Sequence, residues 1–342
     1  MSIEVLKPGL LTTPQDRGRP GYAQLGIGRA GAMDAPALRL ANALAGNPAD
    51  ACALEITLLG PTLRFRADAV IALTGAPIDA RIDGARAPLW APVRVRAGAV
   101  LALGGMRHGC RSYLAVRGGI ALAPVLGSRG VDVNAALGPL DGRALRAGDV
   151  LPVGTNADDP HPASSRRDDA PSPPQAISPD WSLDFRPWFD GEAQRPLRVL
   201  PATHTCNLDA ASRAALFEGT FRVAVDSNRV GYRLDGPRLA LTAPLELVSE
   251  ASVAGTVQLP PSGQAIVLMA EHPVSGGYPR IGHVAAVDLP RLAQRRPGDA
   301  VRFAATTLEE ARRRLAEREH RLQRLEAAIA TRLANEVHGG AR

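Results

Sequence analysis

Short β-like runs, each stopped within a few residues by glycine or proline, fill residues 1–153 and return over 195–305. In the first stretch they include Val70–Thr74, Val93–Arg96, Val100–Leu103 and Tyr113–Val116. In the second they include Leu197–Leu200, Phe221–Val225, Leu245–Val248 and Ala265–Met269. Such spacing leaves no room for a repeated strand–helix–strand alternation, so a dinucleotide-binding doubly wound sheet is a poor fit. Many short strands joined by turns favour sheets that close into barrels or sandwiches. Three similar turns, Arg96-Ala97-Gly98, Arg146-Ala147-Gly148 and Arg296-Pro297-Gly298, each lead into an expected strand. Gly60-Pro61-Thr62-Leu63 echoes Gly236-Pro237-Arg238-Leu239, a hint either of duplication or of common turn chemistry.

Helices are few. One is predicted over Ala35–Ala45, with Asp34 as N-cap, Pro36 in the first turn and Gly46 and Pro48 ending it. Its buried stripe would be Leu40, Ala41 and Leu44. A second runs from about Asp209 to Glu218 and stops at Gly219. The tail from Thr307 is helical, with Thr307 and Glu310 spaced as a capping box. Leu308, Ala311, Leu315, Leu322, Leu325 and Ile329 recur along it at helical spacing. This stripe either packs on its own domain or meets another subunit. Residues 154–194 are rich in Pro, Ser and Asp and read as a flexible linker, its end docked by Trp181, Phe185, Trp188 and Phe189. The expected organisation is therefore a β-rich domain over 1–153, the linker 154–194, a β-barrel domain over 195–305, and a C-terminal helix and tail over 306–342.

Composition excludes several chemistries. Apolar residues make up 45% of the 342 and charged residues 22%, as in ordinary globular proteins. The net charge of +6 is spread along the chain and aromatics are only 4%, which argues against nucleic-acid binding. No apolar run reaches the ~18 residues of a membrane span, and no signal peptide is visible, so a cytoplasmic protein is expected. Cys52, Cys110 and Cys206 are odd in number and widely separated, which fits reduced thiols. Lys7 is the only lysine. A Walker A loop cannot be written without a Gly-Lys-Ser/Thr step, and Lys7, next to Pro8, is poorly placed to carry biotin or pyridoxal phosphate. No covalent cofactor is expected, and no histidine spacing suggests a metal.

Five polar, glycine-rich clusters remain. Pro8–Tyr22 can present Gln15, Asp16 and Arg19 together, or be a turn held by an Asp–Arg pair. Gly26–Asp34 is a glycine-rich loop running into a helix N-terminus, a weak anion-site signal. Asp226–Leu234 places Arg229 and Arg233 about a glycine turn; Arg229 either grips a substrate carboxylate or pairs with Asp226 or Asp235. Ser249–Gly263 carries Glu250 and Gln258. Glu271–Gly282 carries His272, either an acid–base group or a structural histidine, and Gly276-Gly277-Tyr278, where a ligand could approach the backbone.

These clusters, read in order, resemble the biotin-dependent carboxyltransferase family, also called allophanate hydrolase subunit 2. The matching stretches are PGLLTTPQDRGRPGY, GAMDAPALRLANALAGNP, LEITLLGPTLRF, NRVGYRLDGP, SEASVAGTVQLPPSGQAIVLMAEH and SGGYPRIGHVAAVDLPRLAQRRPGDAVRF. The family includes 5-oxoprolinase C subunits, KipA-like regulatory proteins and half of the urea carboxylase carboxyltransferase domain. The resemblance implies a mainly β fold of two β-rich domains with cyclophilin-like barrel architecture. It implies a subunit-1-type partner (allophanate hydrolase subunit 1 or KipI-like) and, in 5-oxoprolinase, a LamB/YcsF-type subunit.

The implied activity is ATP-dependent opening of 5-oxoproline to glutamate, with ATP belonging to the complex and a small amide or lactam as substrate. The alternatives are carboxyl transfer to a urea-like amide from carboxybiotin on a separate carrier, or regulatory binding without catalysis. Asp16, Glu250 and His272 are the catalytic candidates; Gln15, Arg19, Asp34, Arg229, Gln258, Gly276, Gly277 and Tyr278 are the substrate-binding ones. Ala30, Asn228 and Thr203-His204 depart from the family pattern, where a serine and carboxylates are usual.

Overall fold

The computed structural model describes residues 1–155, 176–177, 179–184 and 195–339. The chain forms two compact units. Unit 1 takes Met1–Gly18, Ala35–Arg186 and Arg321–Arg342, and unit 2 takes Arg19–Asp34 and Pro187–His320. The segment Arg19–Asp34 is thus built into the unit formed by the second half of the sequence. Most of the predicted linker lies outside the described residues, as do Phe185, Trp188 and Phe189. Within it, Ala176–Ile177 pairs with Arg94 and Val95, and the Leu183 N–H donates to the Trp90 carbonyl at 2.8 Å.

Unit 1 holds strands β1 (Ser2–Lys7), β2 (Leu11–Gln15), β3 (Ala53–Thr57), β4 (Thr62–Phe65), β5 (Ala69–Gly75), β6 (Ile78–Ile82), β7 (Ala85–Arg86), β8 (Pro92–Val95), β9 (Val100–Met106), β10 (Arg111–Val116), β11 (Val150–Pro152) and β12 (Ala176–Ile177). They form two six-stranded sheets, ordered β11-β1-β4-β9-β6-β7 and β12-β8-β5-β10-β3-β2. Strand β6 alternates, burying Ile78, Ala80 and Ile82 and exposing Asp79 and Arg81, so one face is covered. Strand β10 is buried at every position, so both of its faces are covered. One cover is helix α1 (Ala35–Ala45), which packs on β5 and β10. Its predicted stripe Leu40, Ala41 and Leu44 is fully buried, about 1.5–3 kcal/mol for each leucine.

Unit 2 holds β13 (Leu197–Leu200), β14 (Phe221–Val223), β15 (Gly231–Asp235), β16 (Glu250–Ala251), β17 (Thr256–Gln258), β18 (Ile266–Leu268), β19 (Ser275–Gly276), β20 (Arg280–Val284), β21 (Ala300–Val301) and β22 (Phe303–Ala305). Eight of these form one sheet in the order β21-β14-β15-β18-β17-β20-β13-β22. Its two end strands are separated in sequence by Arg302 alone, so the sheet curls until its edges nearly meet. This is the barrel that the turn-rich pattern predicts. Phe221 on β14 and Phe303 on β22 meet inside it with tilted rings at a centroid distance of 5.7 Å, and Met33 from the inserted segment joins the same core. Strands β16 and β19 form a separate two-stranded ribbon.

The three repeated turns share one geometry. In each the glycine has φ between 86° and 88°. The N–H of the fourth residue returns to the arginine carbonyl: Ala99 to Arg96 at 3.1 Å, Asp149 to Arg146 at 3.2 Å, Asp299 to Arg296 at 3.0 Å. Glycine at the left-handed third position is what this turn requires.

Helix α2 (Ala210–Glu218) is capped by Asp209, whose side chain accepts from the Ser212 N–H at 2.6 Å. Leu245–Val248 is not a strand; no strand pairs with it among the described residues, and Val248 is 86% exposed. After the short helix α3 (Leu289–Ala293), the long helix α4 (Leu308–Gly339) closes the chain. Thr307 Oγ1 accepts from the Glu310 N–H at 3.2 Å, one half of the predicted capping box. The Glu310 carboxylate accepts instead from Arg313 and Arg314. Ala311, Leu322 and Ile329 are buried, whereas Leu308 and Leu315 are exposed. The helix packs on its own chain: Arg318 donates to the Val287 carbonyl at 3.0 Å in unit 2, and Glu326 pairs with Arg39 in unit 1. Among the described residues no helix is long and apolar enough to cross a membrane.

Candidate functional site

In unit 1, Gln15 and Asp16 sit at the end of β2 and tie it to the 128–131 loop. Asp16 Oδ1 accepts from the Gly18 N–H at 2.8 Å and from the Ser128 hydroxyl at 2.6 Å; Oδ2 accepts from the Arg129 N–H at 2.6 Å. Gln15 Nε2 donates to the Val131 carbonyl at 2.7 Å and to Thr13 Oγ1 at 3.1 Å. Gly130 is a close-approach glycine: a Cβ there would lie 3.0–3.1 Å from Asp16 Oδ1, Gln15 Oε1 and Ser128 Oγ. The Cys52 thiol is next to this loop, 3.7 Å from the Arg129 carbonyl, and burial together with the Asp16 charge pushes its pKa well up.

Sequence reasoning missed a buried network beside this loop. Tyr113 donates to Glu55 Oε2 at 2.7 Å, and Arg111 Nε lies 3.5 Å from Glu55 Oε1. Thr13, Glu55, Tyr113 and Thr74 stand opposite one another across β2, β3, β10 and β5, so they share a sheet face. Thr74 Oγ1 donates to the Ala37 carbonyl of α1 at 2.6 Å, which identifies the face as the one α1 covers.

In unit 2, the inserted loop is anchored from two sides. Arg229 is 4% exposed and donates through Nε to Glu271 Oε1 at 2.5 Å and through Nη2 to the Gly31 carbonyl at 2.7 Å. The two local carboxylates considered for it are engaged elsewhere: Asp226 pairs with Arg233 at 3.0 Å, and Asp235 accepts from Gln264 at 2.7 Å. Gly28 lies against the His272 carbonyl, 3.2 Å from where a Cβ would sit. Arg19 is buried with its N–H on the Arg29 carbonyl, and Asp34 accepts from Gln294 at 2.8 Å. His272 is half-buried, with Nδ1 2.8 Å from the Pro273 carbonyl.

From His272 the β16–β19 ribbon leads to a second group. The Ser252 N–H donates to the Val274 carbonyl, and Glu250 stands opposite Gly276. Here the structure gathers Glu250, Gln258, Gly276, Arg280 and His204. The Arg280 guanidinium pairs with Glu250 and donates to the Ala251 carbonyl at 3.3 Å. The Arg280 N–H donates to His204 Nδ1 at 3.0 Å, so the imidazole carries its proton on Nε2. Burial, and then the Arg280 charge, lower the His204 pKa from the usual histidine value. Gln258 stands opposite Arg280, and a Cβ on Gly276 would come within 2.7 Å of Gln258 Nε2. Gly277 lies against the Leu247 carbonyl, and Tyr278 is 47% exposed. The predicted residues therefore fall in three places: Gln15 and Asp16 in unit 1, Arg229 and His272 at one end of the ribbon in unit 2, and Glu250, Gln258 and Gly276 at the other. Among the described residues no group of three His, Cys, Asp or Glu side chains could hold a metal.

A mainly β chain with a nearly closed barrel sheet is the architecture of carboxyltransferase-type domains. Kluyveromyces lactis urea amidolyase has this fold in its crystal structure, with a TM-score of 0.77 at 30% identity over 91% of this chain and 19% of that one. The profile of the carboxyltransferase domain, subdomains A and B, matches residues 25–305. The chain belongs to the biotin-dependent carboxyltransferase family, as its motifs imply. The C subunit of 5-oxoprolinase from Escherichia coli (strain K12) is 40% identical over 338 residues, 98% of this chain and 99% of that protein. Its counterpart in Haemophilus influenzae is 35% identical over 90% of this chain and 93% of that protein. Saccharomyces cerevisiae urea amidolyase is 30% identical over 91% of this chain, but only 17% of its own length is matched.

Proposed function

We propose that this chain is a subunit of an ATP-dependent, 5-oxoprolinase-like amidohydrolase that opens 5-oxoproline to glutamate and works only with a subunit-1-type partner. The observation that carries the reading is the end-to-end match to the 5-oxoprolinase C subunit of Escherichia coli, 98% of one chain and 99% of the other. Closure of the lactam is favourable in water, so opening it must be coupled to ATP. The residues of this chain do not fit an ATP site of the phosphate-loop kind, because its one lysine is Lys7. ATP is accordingly assigned to the complex. A LamB/YcsF-type protein is the expected third component. Three free cysteines support a cytoplasmic location.

Within the chain, the cluster at the end of the ribbon is the best-supported substrate site. Gln258 offers an amide, Gly276 and Gly277 allow close backbone approach, Tyr278 stands exposed beside them, and Glu250 balances Arg280. Glu250 and His272 are the acid–base candidates that remain, both on unit 2. Asp16 and Arg229 already hold several protein groups, which supports a bracing role for each, as do the contacts of Gln15, Arg19 and Asp34.

The second reading is carboxyl transfer to a urea-like amide from carboxybiotin on a separate carrier. It draws on the urea amidolyase relatives, at 30% identity. Co-expression with a subunit-1-type protein followed by size-exclusion chromatography tests the partnership. A single peak holding both chains is expected; two separate peaks count against it.

A further inference from the structure

Gln258 is 6% exposed, yet its carboxamide makes no hydrogen bond to any described residue. It is not sealed in either. Gln15 Oε1 is an enclosed, unpaired atom, whereas the amide atoms of Gln258 keep contact with solvent. The Gly276 backbone lies close to this amide, since a Cβ there would sit 2.7 Å from Nε2. Gln258 stands opposite Arg280 across the strand pair, and the Arg280 charge is paired with Glu250. A buried carboxamide left without partners is costly unless a ligand or water completes it.

The shape of that partner follows from the amide itself. One edge of a primary carboxamide carries an N–H donor and a C=O acceptor side by side. A lactam ring fixes its own amide cis, so its N–H and C=O also lie side by side. The two edges meet in a pair of parallel hydrogen bonds. A trans peptide amide has these groups on opposite sides and cannot form the pair, and the opened amino-acid product has lost the edge altogether. We propose that Gln258 is a specificity-determining residue that reads the cis-amide edge of a lactam substrate. This rests on the 5-oxoprolinase reading for the identity of the lactam, but the recognition chemistry does not depend on turnover.

The test uses two readouts. In the assembled complex, Gln258→Glu keeps the length and replaces the donor with a second acceptor, so the KM for 5-oxoproline should rise by ~tenfold or more while the melting temperature holds. Independently, ligand-observed NMR on the complex, or on the full chain if no complex forms, compares 2-pyrrolidone with N-methyl-2-pyrrolidone, whose donor is blocked. The wild type should bind the first and not the second, and Gln258→Glu should erase the difference. Gly276→Ala, which drives a methyl onto the amide, should erase it as well. Equal binding of both probes by the wild type, or discrimination that survives Gln258→Glu, overturns the proposal. If the wild-type complex fails to open 5-oxoproline while this discrimination holds, the functional reading falls and the edge-recognition inference stands.

Discussion

Arg229 and Glu271 form a buried ion pair, 2.5 Å from Nε to Oε1, that closes over the Gly31 carbonyl and pins the inserted loop to unit 2. The guanidinium fork is spent on the protein. Arg229→Lys keeps the charge but cannot reach both acceptors in one plane. Losing a charge-assisted hydrogen bond costs ~1.5–3 kcal/mol, a fall in Tm of roughly 3–12 °C for a unit of this size. Thermal melts and steady-state kinetics on the same variant separate stability from binding. An unchanged Tm with a KM raised tenfold would hand Arg229 back to the substrate.

Asp16 should behave as a brace. Its two oxygens take three donors, from Gly18, Ser128 and Arg129. An asparagine has only one acceptor oxygen, so Asp16→Asn forces an NH2 against one of these donors and should cost about 1–3 kcal/mol. Urea denaturation measures it. Full stability with abolished turnover would show that the carboxylate acts on substrate.

His204 should make the chain sensitive to mild acid. Its Nδ1 accepts the Arg280 N–H only while the ring is neutral, and its folded pKa lies below the unfolded value of 6.5. As pH falls through 6.5 the unfolded chain takes up the proton first, so stability is full above that value and declines towards the folded pKa. His283 shifts in the same direction through burial and contributes its own decline. His204→Asn, whose side-chain oxygen can accept the same N–H, removes only the first contribution. The wild-type Tm should therefore drop more steeply between pH 7 and 5 than that of His204→Asn; parallel curves would dismiss the histidine.

Local chemistry was legible in the sequence and long-range pairing was not. The left-handed glycines at 98, 148 and 298, the Asp209 cap and the Leu40–Leu44 stripe are each set by neighbours a few residues away. Leu245–Val248 has strand-like composition, but a strand needs a partner that its own residues do not specify. Glu310 sits at the capping-box position, yet two arginines three and four residues on compete for its carboxylate and win. Glu271 pairs with Arg229 across 42 residues, and Glu55 meets Tyr113 across 58. Nothing local distinguishes Glu271 from Asp226 or Asp235 as the partner; only the barrel register does. The motifs did mark Glu250, Gln258 and Gly276, which the ribbon brings together, but His204, marked only as a departure from the family pattern, and Arg280 join them only through their shared backbone contact.

If the chain is one part of a lactam-opening enzyme, turnover by the reconstituted complex shows it most directly. This chain, a subunit-1-type partner and a LamB/YcsF-type protein are combined with 5-oxoproline and ATP, and glutamate and ADP are followed together. Glutamate should form in step with ADP in the full mixture, and none should form when this chain is left out. Glutamate released at the same rate without this chain, or a complex that instead carboxylates urea from carboxybiotin, would contradict the assignment.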